Sequence, residues 1–220
     1  GQSFEPASES EMLDLAKLEM EIRELELEAL YRSKKGLAEP PIIYKAEGFF
    51  QKTDKDGPMI FVASEESEDR MGDIVSVAGW DLANFKKNPV FMFAHDHTVA
   101  PIGAVSKIWM DGKQLLNTVH WDEEDEFAKF VKGKYQRRFM RGESVGFRAL
   151  EFEERTDQSH MAGRPGIKFL KQELVEISAV AVPAHPKALQ KVLGNRKFTM
   201  IIPQIVIPPK PEADDIEIDK

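Results

Sequence analysis

The segment ELVEISAVAVPAHP, residues 173–186, constrains this chain more than any other. It reads as an almost continuous apolar strand, yet it carries one carboxylate, Glu176, and one serine, Ser178. Strand alternation puts Leu174, Glu176, Ser178 and Val180 on one face. A lone carboxylate in such a strand is costly unless it is hydrogen-bonded or paired. The fold therefore has to bring a partner to Glu176.

Strand signals dominate the region around that segment. Ile42–Phe50 and Met59–Ser64 flank the turn-rich TDKDGP, Ile74–Val77 is short and β-branched, and Val90–His95 is a compact apolar run. Ile102–Trp109 and Gln114–Trp121 flank Asp111-Gly112, a hairpin turn signal. Ser144–Glu153 and Lys168–Val182 read as two further strands. A helix is expected from about Glu123 to Met140, with Phe127, Phe130, Val131 and Phe139 facing inward. Its acidic start and basic end suit the helix dipole. A second helix is expected at Pro186–Leu193. Six or seven strands with two or three helices predict an α+β, mainly β domain, a barrel or sandwich with inserted helices.

Two arms flank this domain. Residues 1–41 read as a helical arm and linker, 42–193 as the domain, and 194–220 as a proline-rich acidic tail in which Met200–Ile207 can add one extended strand. The arm helix is expected over about residues 9–35, with Ser8 and Glu11 as a capping box and Gly36 at its end. Leu15, Leu18, Ile22, Leu25 and Ala29 form one apolar stripe; Leu13, Ala16, Met20, Leu27 and Leu30 form another. A helix apolar on two faces needs two neighbours: its own domain, or a docking or oligomer partner. Glu39-Pro40-Pro41 stops the helix.

The chain has 220 residues and a net charge of -8, which argues against a general nucleic-acid binder. Residues 1–35 hold nine acids and five bases, so this arm contributes -4. The six bases Lys129, Lys132, Lys134, Arg137, Arg138 and Arg141 read as a solvated helix face. The absence of cysteine removes disulfides, thiolate nucleophiles and cysteine-ligated zinc. No run of about 18 apolar residues is present to span a membrane, and the first residues lack signal-peptide character.

Two other segments carry chemistry-bearing residues. NPVFMFAHDHTVAPIG, residues 88–103, is an apolar strand ending in His95 and His97, which would face the same way if extended. RGESVGFRAL, residues 141–150, starts a strand with Ser144 and keeps space open beside it at Gly146. A serine, a histidine and a buried acid are the parts of a nucleophile–base–orienter set. Other readings stay open at this point. Ser144 can satisfy local backbone, His97 can be the base, Glu176 can pair with Arg148, and Ser178 can be a small packing residue. His95 and His97 with Asp96 or Glu176 can also make a metal site.

The ordered set of motifs resembles the prohead (capsid maturation) serine proteases of tailed phages. It comprises Asp73-Ile74-Val75, Gly79-Trp80, Phe85-Lys86-Lys87-Asn88-Pro89-Val90, His95-Asp96, Pro101-Ile102-Gly103, Ser144-Val145-Gly146-Phe147, and Glu173 to Val180 closed by Pro183-Ala184. The resemblance covers roughly residues 46–190 and implies a barrel like that of the herpesvirus assemblin proteases. It implies Ser144 as nucleophile, His95 as base and Glu176 as the acidic member, with no cofactor and no metal. Oxyanion donors are expected near Pro183–His185. The implied substrates are a scaffold protein, the scaffolding segment of the major capsid protein, and the chain itself. A homo-oligomer inside the assembling prohead in the host cytoplasm is expected, with no nucleic-acid or membrane partner. The alternative is a non-catalytic scaffold or assembly chaperone of the same fold.

Overall fold

The structure, a computed structural model, describes residues 9–52, 58–69, 71–156, 160–161 and 164–181. The expected helix at Pro186–Leu193, the strand at Met200–Ile207, the Pro183–His185 donors and the Ser8 cap lie outside the described residues.

A long helix, α1 (Glu9–Lys34), leads into β1 (Ile42–Lys52), β2 (Ile60–Glu65), β3 (Ile74–Val75), β4 (Trp80–Asp81) and β5 (Val90–Phe93). The hairpin β6 (Gly103–Asp111) and β7 (Gln114–Trp121) follows, with Gly112 at φ +56° in its turn, as the Asp-Gly pair predicts. Helix α2 (Glu126–Gln136) connects to β8 (Gly142–Glu154), and β9 (His160–Met161) and β10 (Arg164–Pro165) form a small ribbon before β11 (Ile167–Val180).

The hydrogen-bonded order β11-β5-β6-β7-β2-β1-β8 returns to β11, because β11 also pairs with β8. Along one edge β11 runs antiparallel to β8; along the other it takes β3, β4 and β5 in turn, all parallel. The mainly β domain expected from the strand signals is what forms. Inside the curled sheet Phe147 meets Trp80 and Phe169 edge-on at 5.4 and 5.1 Å, and Phe61 meets Tyr135 of α2 at 5.2 Å.

The two helices correct the sequence reading in different ways. Asp125 caps α2 by accepting from the Phe127 N–H. The inward stripe is Ala128, Val131 and Tyr135; Phe127, Phe130 and Phe139 are 45, 55 and 75% exposed. Of the four residues expected inside, only Val131 is there. The ammonium of Lys134 lies over the Phe130 and Phe139 rings at 4.7 and 5.6 Å, which helps these aromatics tolerate water. Helix α1 packs on its own domain through the second apolar stripe, burying Leu27 and Leu30, each worth roughly 1.5–3 kcal/mol. Met20 of that stripe and Leu25 of the other are exposed. No helix among the described residues is long and apolar enough to cross a membrane.

Helix α1 also brings charge inside. Arg23 forms a two-pronged bridge to Asp73 at 2.5 and 2.9 Å and reaches Glu26 at 2.9 Å. Lys45 of β1 reaches the same Asp73 at 2.5 Å and Asp69 at 3.0 Å. Asp73 also accepts the Ile167 N–H at the start of β11, at 2.7 Å. Burial works against these charges, but opposite charges outweigh it. Arg23 and Lys45 are held above their ordinary pKa, and Asp73 is held below its own.

Candidate active site

Strand register places the site. In β8 and β11, Ser144 faces Ser178 and Gly146 faces Glu176. The β11 register shifts between Leu174 and Glu176, so Val175 is an extra, bulged residue. Leu174 consequently pairs with Phe147 and joins the core, while Glu176, paired with Gly146, points to the outer face. The shared face expected for Leu174, Glu176, Ser178 and Val180 is therefore broken: the bulge turns Leu174 away from Glu176.

His95 arrives from a turn after β5. Ala94 and His95 have φ of 54° and 60°, a left-handed conformation that non-glycine residues adopt at some cost. The Ala94 N–H to Ala179 carbonyl bond, 2.9 Å, pins this turn to β11. The segment is not extended, so the strand spacing that would align His95 and His97 does not apply. His97 is exposed, and its ring lies 6.4 Å from that of Tyr44.

The turn aims the His95 ring between the two strands. Its Nε2 lies 2.6 Å from Ser144 Oγ, and its Nδ1 meets Glu176 Oε1. Carboxylate Oε1 accepts, so Nδ1 carries the proton and Nε2 presents a lone pair to the serine hydroxyl. The other carboxylate oxygen, Oε2, accepts from the Ser178 hydroxyl at 2.7 Å, and Ser178 Oγ in turn accepts the His95 backbone N–H at 3.2 Å. Ser178, read from sequence as a small packing residue, thus ties both Glu176 and the His95 main chain in place. Arg148 is not the partner of Glu176; its Nε lies 3.7 Å from Glu173. Ser144 is 1% and Glu176 2% exposed, so these bonds compete little with water.

Both ring nitrogens of His95 are engaged in these hydrogen bonds. Among the described residues no group of three or more histidines or acids is placed to hold a metal ion. Across the sheet, Glu143 precedes Ser144 and faces inward. Its Oε2 accepts from Asn117 at 2.7 Å, and burial pushes its pKa well up. Oε1 of Glu143 and Oδ1 of Asn117 have no partner among the described residues, an arrangement that suits a protonated Glu143.

Comparison with known proteins adds the family. The chain is 34% identical over 134 residues to a capsid polyprotein of Pseudomonas phage PAJU2, covering 58% of this chain and 18% of that protein. It is 30% identical over 149 residues to the prohead protease of Escherichia phage T5, covering 62% of this chain and 64% of that one. The chain thus spans less than two thirds of the length of either relative. Among solved structures, the bacteriophage T4 capsid assembly protease gp21 aligns with 66% of this chain and 100% of that chain. The TM-score is 0.47 and the identity 12%, a likeness too loose to carry an argument. The profile of the caudovirus prohead serine proteases matches residues 62–199, which include His95, Ser144 and Glu176, and the chain belongs to that family.

Proposed function

We propose that this chain is a serine endopeptidase of phage capsid maturation, with Ser144 as nucleophile, His95 as general base and Glu176 as the orienting acid. The observation that carries the reading is the relay itself. Ser144 Oγ is 2.6 Å from His95 Nε2, and the far side of the ring is held by Glu176. As the Ser144 oxygen attacks the peptide carbonyl, its proton passes to Nε2. The imidazolium that forms is stabilised by Glu176 through Nδ1–H. The C–N bond breaks when Nε2 returns the proton to the leaving amine. Water, deprotonated by the same nitrogen, then releases the acyl group. Ser144 is buried, so its surroundings must open to admit the scissile carbonyl.

Family membership supports a substrate among capsid or scaffold proteins in the assembling phage particle. The similarity to part of a phage capsid polyprotein favours a capsid-protein segment, and cleavage of the chain by itself belongs to the same proposal. The test is co-expression of the chain, or its Ser144→Ala and His95→Ala variants, with the capsid precursor, followed on a gel. Precursor shortening that needs both residues is the expected result. Unchanged cleavage in both variants would sink the reading. Capsid binding with no cleavage and no labelling by a serine-directed phosphonate would favour the scaffold alternative.

A further inference from the structure

One row of the sheet sets Tyr44, Gly146 and Glu176 side by side on β1, β8 and β11. Paired residues present their side chains to the same face, so Tyr44 points toward the site, while its neighbour Lys45 points into the buried charge cluster. Gly146 has no side chain, and this lets its two neighbours close over it. A Cβ at Gly146 would lie 2.8 Å from Glu176 Oε1 and 2.9 Å from Tyr44 Cε1.

The Tyr44 ring continues past Gly146 to His95. Their ring centroids are 4.5 Å apart, with the planes tilted by 53°. This contact has a specific use. His95 stands on a left-handed turn outside the strands, so the sheet does not fix its ring. Glu176 holds one edge of the imidazole and Ser144 meets the other. These bonds restrain the ring at its edges, and a group lying against its face adds a restraint on tilting out of that line. Burial and the nearby charge of Glu176 push the Tyr44 phenol pKa up, so Tyr44 stays neutral beside the pair. A neutral aromatic face suits a ring that becomes an imidazolium during the reaction.

We propose that Tyr44 is a positioning residue: its ring, laid across Gly146, holds the His95 imidazole in line between Glu176 and Ser144 and keeps water from the His95–Glu176 bond. The proposal rests on the reading of Ser144, His95 and Glu176 as the catalytic set. The ring does the work, and the hydroxyl is dispensable.

The experiment measures the rate at which a fluorophosphonate probe labels the full-length chain, compared among the parent, Tyr44→Phe, Tyr44→Ala, Tyr44→Leu and Ser144→Ala. Tyr44→Phe should label within about threefold of the parent. Tyr44→Ala and Tyr44→Leu should fall about 10–100-fold, the scale of a small misplacement of a reacting group. The fall should lie in the limiting rate rather than in apparent probe affinity. Tyr44→Leu keeps an apolar side chain at this half-buried position, so its result stands if Tyr44→Ala folds poorly. Proton NMR gives an independent signature. The far-downfield His95 Nδ1 proton should be seen in the parent and Tyr44→Phe and be broadened by water exchange in Tyr44→Leu. Parent-like labelling in Tyr44→Leu, or a Tyr44→Phe fall as deep as that of Tyr44→Leu, would overturn the proposal. Labelling that persists in Ser144→Ala, or a parent that does not label, counts instead against the catalytic reading beneath it.

Discussion

Two buried polar clusters share strand β1, and they are built on opposite principles. On the inner side, Arg23, Lys45, Asp73, Asp69 and Glu26 are joined by ion pairs that link α1, β1, the turn before β3 and the start of β11. On the outer side, His95, Glu176, Ser144 and Ser178 are joined by hydrogen bonds with a single carboxylate among them. Tyr44 and Lys45, adjacent in β1, belong one to each. The inner cluster holds its charges fixed, since opposite charges keep every shifted group ionised. In the proposed mechanism the outer cluster passes protons along its hydrogen bonds. On that reading adjacent residues of one strand serve stability and chemistry separately, and mutation should be able to separate them too.

The largest expected effect is on the outer side. Ser144→Ala or His95→Ala should lower cleavage on the order of 10⁴–10⁶-fold, the scale seen when a triad member is removed. The melting temperature should change little. An accompanying loss of fold would break the separation.

Next comes the inner side. Asp73→Asn leaves Arg23 and Lys45 facing each other with weaker compensation. It should cost about 3–5 kcal/mol in urea unfolding while activity per folded molecule is kept. The pH behaviour has a definite sign. Folded Asp73 releases its proton at lower pH than unfolded Asp73. Its stabilisation is therefore present above the ordinary carboxylate range and is lost as pH falls through the folded value. Acid unfolding followed by circular dichroism should be shallower in Asp73→Asn.

Gly146→Ala probes the outer side more gently. The new methyl must displace Glu176 Oε1 or Tyr44, and a reduction of about 10²-fold in the cleavage rate is expected with the fold intact. Ser178→Ala removes both its hydrogen bond to Glu176 and the acceptor of the His95 N–H, about 1 kcal/mol each, and should slow cleavage roughly thirtyfold.

The smallest effect on activity is expected from Glu143→Gln, on the inward face next to Ser144. Folded Glu143 holds its proton to higher pH than unfolded Glu143. Stability should therefore fall as pH rises from the ordinary carboxylate range toward the folded value. Thermal melts across that window should lose this slope in the variant, while cleavage stays near the parent rate.

Local features of the fold were legible in the sequence. The Asp111-Gly112 turn, the helix between β7 and β8 and the main strands follow from turn chemistry and periodicity. The need of Glu176 for a partner is also readable, because its cost is set by its apolar neighbours in the chain. The sequence missed features that depend on register or on distant pairing. One extra residue at Val175 reverses the face of Leu174, and nothing in LVEIS marks where the bulge falls. Arg23 looks like an exposed helix residue until Asp73, 50 positions away, is placed beside it. Tyr44 sits in an ordinary strand; the signal for it was Gly146, whose missing side chain matters only once the two strands are paired. The outward phenylalanines of α2 show a related limit, since periodicity finds a stripe but not which of two stripes faces the core.

The separation of the site residues along the chain has a consequence for synthesis. His95 and Ser144 are 49 positions apart, and His95 and Glu176 are 81 apart. Glu176 lies near the end of β11, the strand that closes the sheet by pairing with both β5 and β8. A chain emerging from the ribosome presents the serine and the imidazole before it presents this carboxylate. On the proposed mechanism a polypeptide that stops short of β11 would lack the acid that orients His95, so β11, the final strand among the described residues, would be the one that completes the site.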